Sequence, residues 1–474
     1  MLTRRTMVGN LLKSSTGLVL SRGLMSHAET GKPRSLKLAQ TAPVEVPANF
    51  TGLGYEMSSL ATPGLLDAAN QRYVHLVRGL GGQGVIRVGG IVANYTRYVA
   101  KGPAEFDRKN TVITHAAVVR FAEFLEQVGW RAIWSVNFAQ GTIADAVTES
   151  RAVFDVLGPK LLAIEIGNEV DSYGHGQPFR PANYGYQAYR KQFAEWHAAI
   201  ARAVSGIPFA APDTTDHAAD WAVRMAQDAK GEVQLLTTHY YRNGQKNGSA
   251  EQLLAPDPRL QQTLVSMRAA SQRSGIPWRM CEINSFSGGG RPGVSDTFVG
   301  ALWTLNTMLL LAQNGCSGVN METGVNQLGF VSSYSPIQDD GKGVNAAGVP
   351  YYGMLAFATA FAGCNQLMPL ADGARTSPVH AYVLSAARKP RSVVIINMDT
   401  AMDARISLKS IGLNRGALLR LSAPGADDRE RVTFGGSRVD AEGRWKPSAQ
   451  ERIDDGQIVV PPMSATVFLA AHAS

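Results

Sequence analysis

Cysteine is scarce in this chain of 474 residues, which holds only Cys281, Cys316 and Cys364. An odd number without CxxC spacing predicts neither a disulfide framework nor a structural zinc site. HExxH spacing is missing too, and no GxGxxG follows the first predicted strand. We therefore expect no metal and no cofactor.

Long apolar runs are missing as well. No stretch after the N-terminal region approaches the ~20 apolar residues that a membrane helix needs, so we expect no stable membrane insertion. The sequence also lacks repeats of fixed period and low-complexity blocks. With 45% hydrophobic and 18% charged residues, it has the composition of a folded globular protein.

Charge of one sign is only mildly in excess. The formal net charge is +8, but the first 28 residues contain four basic residues (Arg4, Arg5, Lys13 and Arg22) and no acid. The remaining chain therefore carries half of the surplus, which is weak support for a polyanionic partner. We expect no nucleic-acid partner, while a mildly positive groove for acidic sugars remains open.

Residues 1–28 have the pattern of an export signal. Thr3–Val8 resembles a twin-arginine motif, a weakly apolar run extends over Met7–Leu24, and Ser26-His27-Ala28 offers a small-x-small cleavage site. The pattern predicts an exported protein, periplasmic or extracellular. A disordered basic tail is the alternative interpretation.

Residues 50–363 alternate short apolar runs with longer amphipathic stretches, a pattern typical of a (β/α)8 TIM barrel. This alternation favours a closed parallel barrel over a doubly wound sheet. The predicted strands are Gly52–Met57, Val85–Val88, Ala132–Asn137, Leu161–Ile166, Pro208–Ala211, Val233–His239, Arg279–Ile283 and Gly318–Met321.

Residues 364–474 change to short β-type runs separated by Gly, Pro and Asp turns, which predicts a C-terminal all-β sandwich domain. The runs are Ala381–Ala386, Ser392–Asn397, Ala404–Leu408, Leu418–Leu421 and Gln457–Leu469. The N-terminal segment 29–49 is expected to add a strand to it, at Leu36–Ala39. Surface hairpins on the barrel are the alternative.

Two strands end on glutamates. Ile164–Glu169 reads as an alternating strand that closes on Asn168 and Glu169, and Trp278–Asn284 as an apolar strand that closes on Glu282. Barrel enzymes build their sites at the C-terminal ends of strands, here four and seven, so these carboxylates could bracket a glycosidic bond. An Asn-Glu pair alone is equally consistent with a helix cap. Mid-strand Glu165 is expected to be a paired group inside the barrel.

His239-Tyr240-Tyr241 ends the sixth predicted strand. A tyrosine hydroxyl there could donate to Glu282 and keep it ionised. We assign this role to Tyr240 and place Tyr241 in an aromatic core layer.

The combination resembles the clan-A glycoside hydrolases and, more narrowly, glycoside hydrolase family 79, the β-glucuronidases and heparanases. The segments that carry the resemblance are Val85–Gly90, His239–Gly244, Glu282–Phe298 and Tyr351–Leu355. It implies that Glu169 is the general acid/base, Glu282 the nucleophile, Asn168 the partner of the sugar 2-hydroxyl, and Tyr240 the support of the nucleophile. Gly288 and Gly289 match the glycines whose amides meet a uronic carboxylate.

One position departs from the family pattern. Ser287 stands where a tyrosine commonly donates to the same carboxylate, and a second family tyrosine has no clear match among Gly329, Phe330 and Tyr334. The missing donors leave the identity of the sugar open.

These features predict a retaining hydrolase of β-linked sugars acting on a glycan or glycoside, with an exo-β-glucuronidase favoured. The alternatives are a heparanase-like endo-enzyme, a barrel glycosidase for a different or modified sugar, and a non-catalytic carbohydrate-binding protein. The endo-enzyme ranks lower because the basic candidates near the predicted mouth do not form a run: Arg97, Lys101, Arg180, Arg242, Lys246 and Arg291.

Overall fold

Eight parallel strands close into a barrel, which confirms the predicted fold class. The computed structural model describes residues 32–324, 332–339, 344–373, 375–376 and 378–471, so the predicted export signal lies outside the described residues. The barrel strands, numbered one to eight below, are Gly52–Glu56, Val85–Gly89, Arg131–Val136, Leu161–Ile166, Phe209–Thr214, Leu235–Gly244, Trp278–Ser287 and Val319–Glu322. Each neighbouring pair is parallel, and strand eight pairs with strand one.

A helix follows each barrel strand and packs outside it. Local sequence sets several of the helix ends: the Thr114 hydroxyl accepts from the Ala117 N–H, Thr142 and Asp145 form a capping box, and Gly129 ends its helix in the left-handed conformation. The helices are Gln71–Gly79, Gly90–Ala93, His115–Val128, Ile143–Leu157, Tyr186–Ala203, Ala219–Asp228, Ala250–Leu254, Pro258–Ser274, Phe298–Gln313 and Val349–Phe361.

Strands six and seven extend beyond their predicted ends. Their pairing continues from His239 opposite Glu282 to Gly244 opposite Ser287. The apolar core ends at the barrel rim, so the hydrophobic pattern predicts that both strands end there. The two backbones nevertheless continue to pair above the rim. This extension raises the loop that begins at Gly288 over the mouth of the barrel.

The C-terminal strands form two sheets with a common core, as predicted. The larger sheet contains Val44–Glu45, Gln366–Met368, Arg375–Thr376, Val379–Ala386, Lys389–Asn397, Gly416–Ser422, Thr433–Phe434, Glu451–Ile453 and Ser464–Ala470; the smaller contains Arg34–Ser35, Ala404–Ser407 and Gln457–Val460. The predicted run Gln457–Leu469 is two strands in different sheets, because Pro461 and Pro462 interrupt it.

Alternation along the larger sheet joins the sandwich to the barrel. Ala381 and Val383 pack between the two sheets, whereas Tyr382 and Leu384 pack in the core shared with the barrel helices. The Tyr382 hydroxyl donates to Asn306 Oδ1 on a barrel helix at 3.0 Å. Surface hairpins would leave no such second core, so that alternative is set aside.

The N-terminal segment also joins the sheets, although its strands, Arg34–Ser35 and Val44–Glu45, lie on either side of the predicted residues Leu36–Ala39. Arg34–Ser35 pairs with Ala404–Ser407, and Leu38 forms a single bridge to Leu370. From Pro33 onward the chain forms one compact unit. Two short strand pairs, Arg97–Val99 with Val112–Thr114 and Ile337–Asp339 with Asn345–Ala347, lie on the barrel loops. In the part of the chain described, no helix is long and apolar enough to cross a membrane.

Candidate active site

A tight turn after strand four positions Asn168 and Glu169. Gly167 and Glu169 both have positive φ, 98° and 50°, and the Glu169 N–H donates to the Asp213 carbonyl at 2.8 Å. A left-handed conformation is unfavourable for glutamate, by roughly 1–3 kcal/mol in such strained positions. The surrounding hydrogen bonds therefore hold Glu169 in a fixed orientation at the strand end.

Glu282 lies across the mouth on strand seven, directly opposite His239 of strand six. One carboxylate oxygen of Glu169, one of Glu282 and one ring nitrogen of His239 all lie within 4.8 Å of one another. The side chains of Glu169 and Glu282 are 24% and 12% exposed, so both carboxylates reach the pocket. The structure brings the two predicted carboxylates together.

Arg87 of strand two connects the groups beneath the pocket. The guanidinium is fully buried and donates from Nε to Glu165 Oε2 at 3.0 Å and from Nη1 to Glu282 Oε2 at 2.8 Å. Its Nη2 donates to Asn168 Oδ1 at 2.6 Å and to Asp213 Oδ2 at 2.5 Å. Glu165 is thus the paired interior group that was predicted, and one cation orients four side chains.

The two acids below the pocket have opposite pKa shifts. Burial and the neighbouring Asp213 raise the pKa of Glu165 to about 7. Burial alone would raise the pKa of Asp213, but Arg87 and His239 lower it below its ordinary value. Asp213 is therefore the ionised partner of the arginine and the histidine at neutral pH.

His239 is the second cation of the site. Its Nε2 lies 2.9 Å from Asp213 Oδ1, and its Nδ1 lies 3.4 Å from Glu169 Oε1 and 3.8 Å from Glu282 Oε2. Burial would lower the pKa of His239, but Asp213 and Glu282 raise it well above its ordinary value. An imidazolium consequently stands between the two pocket carboxylates.

The two pocket carboxylates have different surroundings. Burial raises the pKa of Glu169, and the charge of Glu282 adds to that shift, against the hydrogen bond from His239. Glu282 accepts hydrogen bonds from Arg87 and from the Tyr241 hydroxyl, at 2.8 Å each. Glu169 is placed to hold a proton and Glu282 to carry a charge.

The tyrosine assignment was wrong by one residue. Tyr241, not Tyr240, donates to Glu282; the Tyr240 hydroxyl donates to Asp257 at 2.7 Å, on the helix side of the strand. Side chains alternate along a strand, so His239 and Tyr241 share the inner face and Tyr240 faces outward. The period of two from His239 was the signal that could have identified Tyr241.

A pocket of about 230 Å³ lies above these groups. Gly288 and Gly289, with φ of 78° and 92°, line it beside Ser287, as does the rim residue Arg108. The Gly289 carbonyl accepts from the Ser333 N–H at 2.7 Å, which fixes the glycine turn. The predicted glycines therefore reach the same pocket as the two carboxylates, together with Asn168.

The far wall of the pocket includes two glutamates that the sequence analysis did not single out. Glu56, Glu322 and Tyr334 line it, and the rings of Tyr334 and Tyr241 stack with centroids 6.2 Å apart. Of the three candidates for the second family tyrosine position, Tyr334 lies in the described residues and lines the pocket, whereas Gly329 and Phe330 lie outside the described residues. The signal for Glu56 and Glu322 was their position at strand ends, as for Glu169.

A second cavity of about 490 Å³ adjoins the first and shares Glu169, Tyr241 and Ser287 with it. Polar and charged side chains dominate its remaining wall: Thr215, Asp216, His217, Arg242, Asn243 and Arg259. Asp216 pairs with Arg259 at 2.5 Å, so part of this charge is internally compensated.

The three groups that meet in the pocket could each offer a ligand atom to a metal ion. Metal ligation requires neutral imidazole, whereas Asp213 and Glu282 favour the protonated form of His239. A deeper group of Glu165, Asp213 and Cys281 has the same spacing, but Arg87 already bonds both carboxylates. Neither arrangement suits a cation.

Comparison with known proteins yields glycoside hydrolases. An alignment of 155 positions shows 31% identity to a β-glucuronidase of Neurospora crassa and covers 29% of this chain and 25% of that protein's length. No protein-family model matches the sequence.

Solved structures share the fold at low identity. A 4-O-α-L-rhamnosyl-β-D-glucuronidase from Fusarium oxysporum has a TM-score of 0.75 at 16% identity, covering 92% of this chain and all of the other. A family 51 α-L-arabinofuranosidase from Bifidobacterium longum has a TM-score of 0.66 at 15% identity, covering 92% and 99%. At these identities the likeness establishes the barrel with its additional β-sheets.

We expect Arg87→Met to lower the free energy of unfolding by about 3–5 kcal/mol at pH 7, because it leaves several buried carboxylates without their cation. Arg87 helps to lower the pKa of Asp213 in the folded protein. Ionised Asp213 therefore stabilises the fold at pH values above its ordinary pKa, and this stabilisation is lost as the pH falls from the ordinary pKa through the lowered one. The deficit should therefore shrink at pH 3–4.

Urea unfolding at both pH values measures the change, with the exposed Arg268→Met as control. A surface substitution of this kind should stay within about 0.5 kcal/mol of the wild type. Equal stability of Arg87→Met and the control at pH 7 would contradict the assigned role of Arg87.

Proposed function

We propose that this protein is a retaining β-glycosidase in which Glu169 is the general acid/base and Glu282 the nucleophile. The observation that carries the proposal is the approach of their carboxylate oxygens to within 4.8 Å across one pocket. Retaining glycosidases hold these groups about 5–5.5 Å apart, whereas inverting ones leave about 6.5–9.5 Å for a water molecule.

In the first step, Glu282 attacks the anomeric carbon as the glycosidic C–O bond breaks. The Glu169 proton goes to the departing oxygen, so the aglycone leaves as a neutral alcohol. Arg87 and Tyr241 favour the ionised nucleophile through the two hydrogen bonds that its carboxylate accepts. The products of this step are a glycosyl ester on Glu282 and an ionised Glu169.

In the second step, ionised Glu169 removes a proton from water as the water oxygen attacks the anomeric carbon. The ester bond to Glu282 breaks, and the sugar leaves with its configuration retained. The imidazolium of His239, 3.4 Å from Glu169 Oε1, stabilises the anion that exists between the two steps.

Asn168 is suited to the sugar 2-hydroxyl. Asn168 lines the pocket, Arg87 donates to its Oδ1, and its Nδ2 is buried without an acceptor among the described residues. A hydroxyl of the bound sugar would satisfy this donor. The same role follows from the family 79 resemblance.

For the substrate, we propose a terminal β-linked glucuronic acid, which makes the protein an exo-β-glucuronidase. Support comes from the matched stretch of a β-glucuronidase, from the positive-φ glycines Gly288 and Gly289 in the pocket, and from Arg108 at its rim. A sugar with a modified carboxylate remains the second candidate, because Ser287 lines the pocket where the family commonly has tyrosine.

The adjoining cavity beyond Glu169 is the proposed site of the leaving group. Its polar wall favours a sugar or another hydroxylated aglycone. Closure of the pocket by Glu56 and Glu322 on the opposite side favours exo over endo action.

We expect Glu169→Ala to discriminate between leaving groups. Hydrolysis of an alkyl β-glucuronide should fall by about 10²–10⁴-fold, the usual contribution of general acid catalysis, while a dinitrophenyl β-glucuronide needs little protonation in the first step. Azide should accelerate the variant on the dinitrophenyl substrate and give a β-glycosyl azide.

Steady-state kinetics on both substrates measure the effect, with Glu195→Ala on an exposed helix face as the matched control. Equal losses on the two substrates in Glu169→Ala would assign Glu169 a structural role instead.

The neighbouring tyrosines provide a second matched pair. We expect Tyr241→Phe to lower kcat by about 10- to 100-fold, because a hydrogen bond to a charged group is worth roughly 1.5–3 kcal/mol. Tyr240→Phe removes only the bond to Asp257 and should affect melting temperature more than kcat. A larger loss of kcat in Tyr240→Phe than in Tyr241→Phe would contradict the geometry of the nucleophile.

A further inference from the structure

The far wall of the pocket holds two carboxyl groups that the proposed mechanism does not use. Glu56 ends strand one and Glu322 ends strand eight, and the two strands are neighbours in the barrel. They are 8% and 4% exposed, and both line the pocket.

Glycines make room for both groups. Glu322 lies in register with Gly54, where an added Cβ would come within 2.6 Å of Glu322 Oε2. An added Cβ on Gly90 would collide with the Glu56 carboxylate. Glu56 Oε2 accepts from the Val92 N–H at 2.9 Å, which fixes its orientation.

Glu322 keeps an unused hydrogen-bonding atom in this wall. Among the described residues, no partner contacts its buried Oε2. Leaving a buried polar atom unsatisfied costs roughly 1–3 kcal/mol, so the carboxyl group keeps hydrogen-bonding capacity that a ligand hydroxyl in the pocket could use.

The order of strands around the barrel indicates which edge of a bound sugar ring faces this wall. Strands eight and one lie opposite strands four and five, where Glu169 and the leaving-group cavity stand. A pyranose with its anomeric carbon at Glu282 therefore directs the opposite edge, C3 and C4, toward Glu56 and Glu322. Gly288 and Gly289, which follow strand seven, would meet the C5 substituent, so C4 falls at strand eight.

Protonated carboxyl groups in this wall are suited to binding sugar hydroxyl groups. Burial, with the charge of Glu282 next, raises the pKa of Glu56 to about 8 and that of Glu322 well above its ordinary value. A protonated carboxyl group both donates and accepts, as a sugar hydroxyl does. It also adds no charge that would repel a uronate.

We propose that Glu322 is a specificity-determining residue that hydrogen-bonds the C4 hydroxyl of the bound sugar, with Glu56 at C3, and thereby restricts the enzyme to a terminal sugar unsubstituted at C4. This inference rests on the proposed glycosidase activity. The fold alone does not impose this preference for an unsubstituted C4 hydroxyl, because the structural neighbour from Fusarium oxysporum is named for a 4-O-rhamnosyl substrate.

The test compares kcat/KM for an aryl β-glucuronide, its 4-deoxy analogue and its 4-O-methyl analogue. We expect the wild type to prefer the parent over each analogue by about 10- to 100-fold, the usual worth of one strong hydrogen bond. In Glu322→Ala the parent-to-4-deoxy ratio should collapse toward one, and the 4-O-methyl compound should gain. Ratios measured on one sample do not depend on the folded fraction of a variant.

Glu149→Gln is the matched control, because Glu149 is a buried carboxyl outside the pocket that accepts from Trp134 Nε1. Its ratios should equal those of the wild type. If the wild type cleaves aryl glycosides without discrimination at C4, or if Glu322→Ala keeps the wild-type ratio, this inference is overturned while the proposed function stands. If the wild type cleaves no aryl β-glycoside, both are overturned.

Discussion

The buried guanidinium of Arg87 is the interaction on which the site depends. It contacts one group beneath the pocket on each of strands four and five, the turn residue Asn168, and the proposed nucleophile on strand seven. Desolvating so many polar groups is unfavourable unless they satisfy one another. The cation therefore fixes the relative positions of the groups that it contacts, among them Glu282 and Asn168, the residue that precedes Glu169.

The arrangement also gives two chemically identical side chains different surroundings. Glu282 accepts from an arginine and a tyrosine, which favours its ionised form. Glu169 faces Glu282 and an imidazolium, and burial raises its pKa. Asp213 keeps that imidazolium charged from below. The proposed acid and nucleophile roles thus depend on groups that lie one layer below the pocket itself.

The sequence predicted the barrel because hydrophobic strands alternate with amphipathic helices, and it located Glu169 and Glu282 because both close apolar strands. The sequence led to Tyr240 instead of Tyr241 as the donor to Glu282. The inner face of a strand is found by counting from a residue known to face inward, and His239 had not been identified as such a residue. The roles of Arg87, His239 and Asp213 could not be predicted, because their interactions join strands two, five and six through contacts distant in sequence. Glu56 and Glu322 close strands one and eight in the same way, but their meeting in one pocket depends on a pairing of strands that are distant in sequence.

The most direct measurement of the central claim is covalent trapping of the nucleophile. A 2-deoxy-2-fluoro β-glucuronide with a good leaving group should inactivate the enzyme. The fluorine slows both formation and hydrolysis of the glycosyl ester, and the good leaving group speeds only its formation, so the ester accumulates. Peptide mass spectrometry should then locate one sugar on Glu282, and Glu282→Gln should acquire none. Stoichiometric labelling of a different carboxylate, or turnover with inversion and no adduct, would contradict the account.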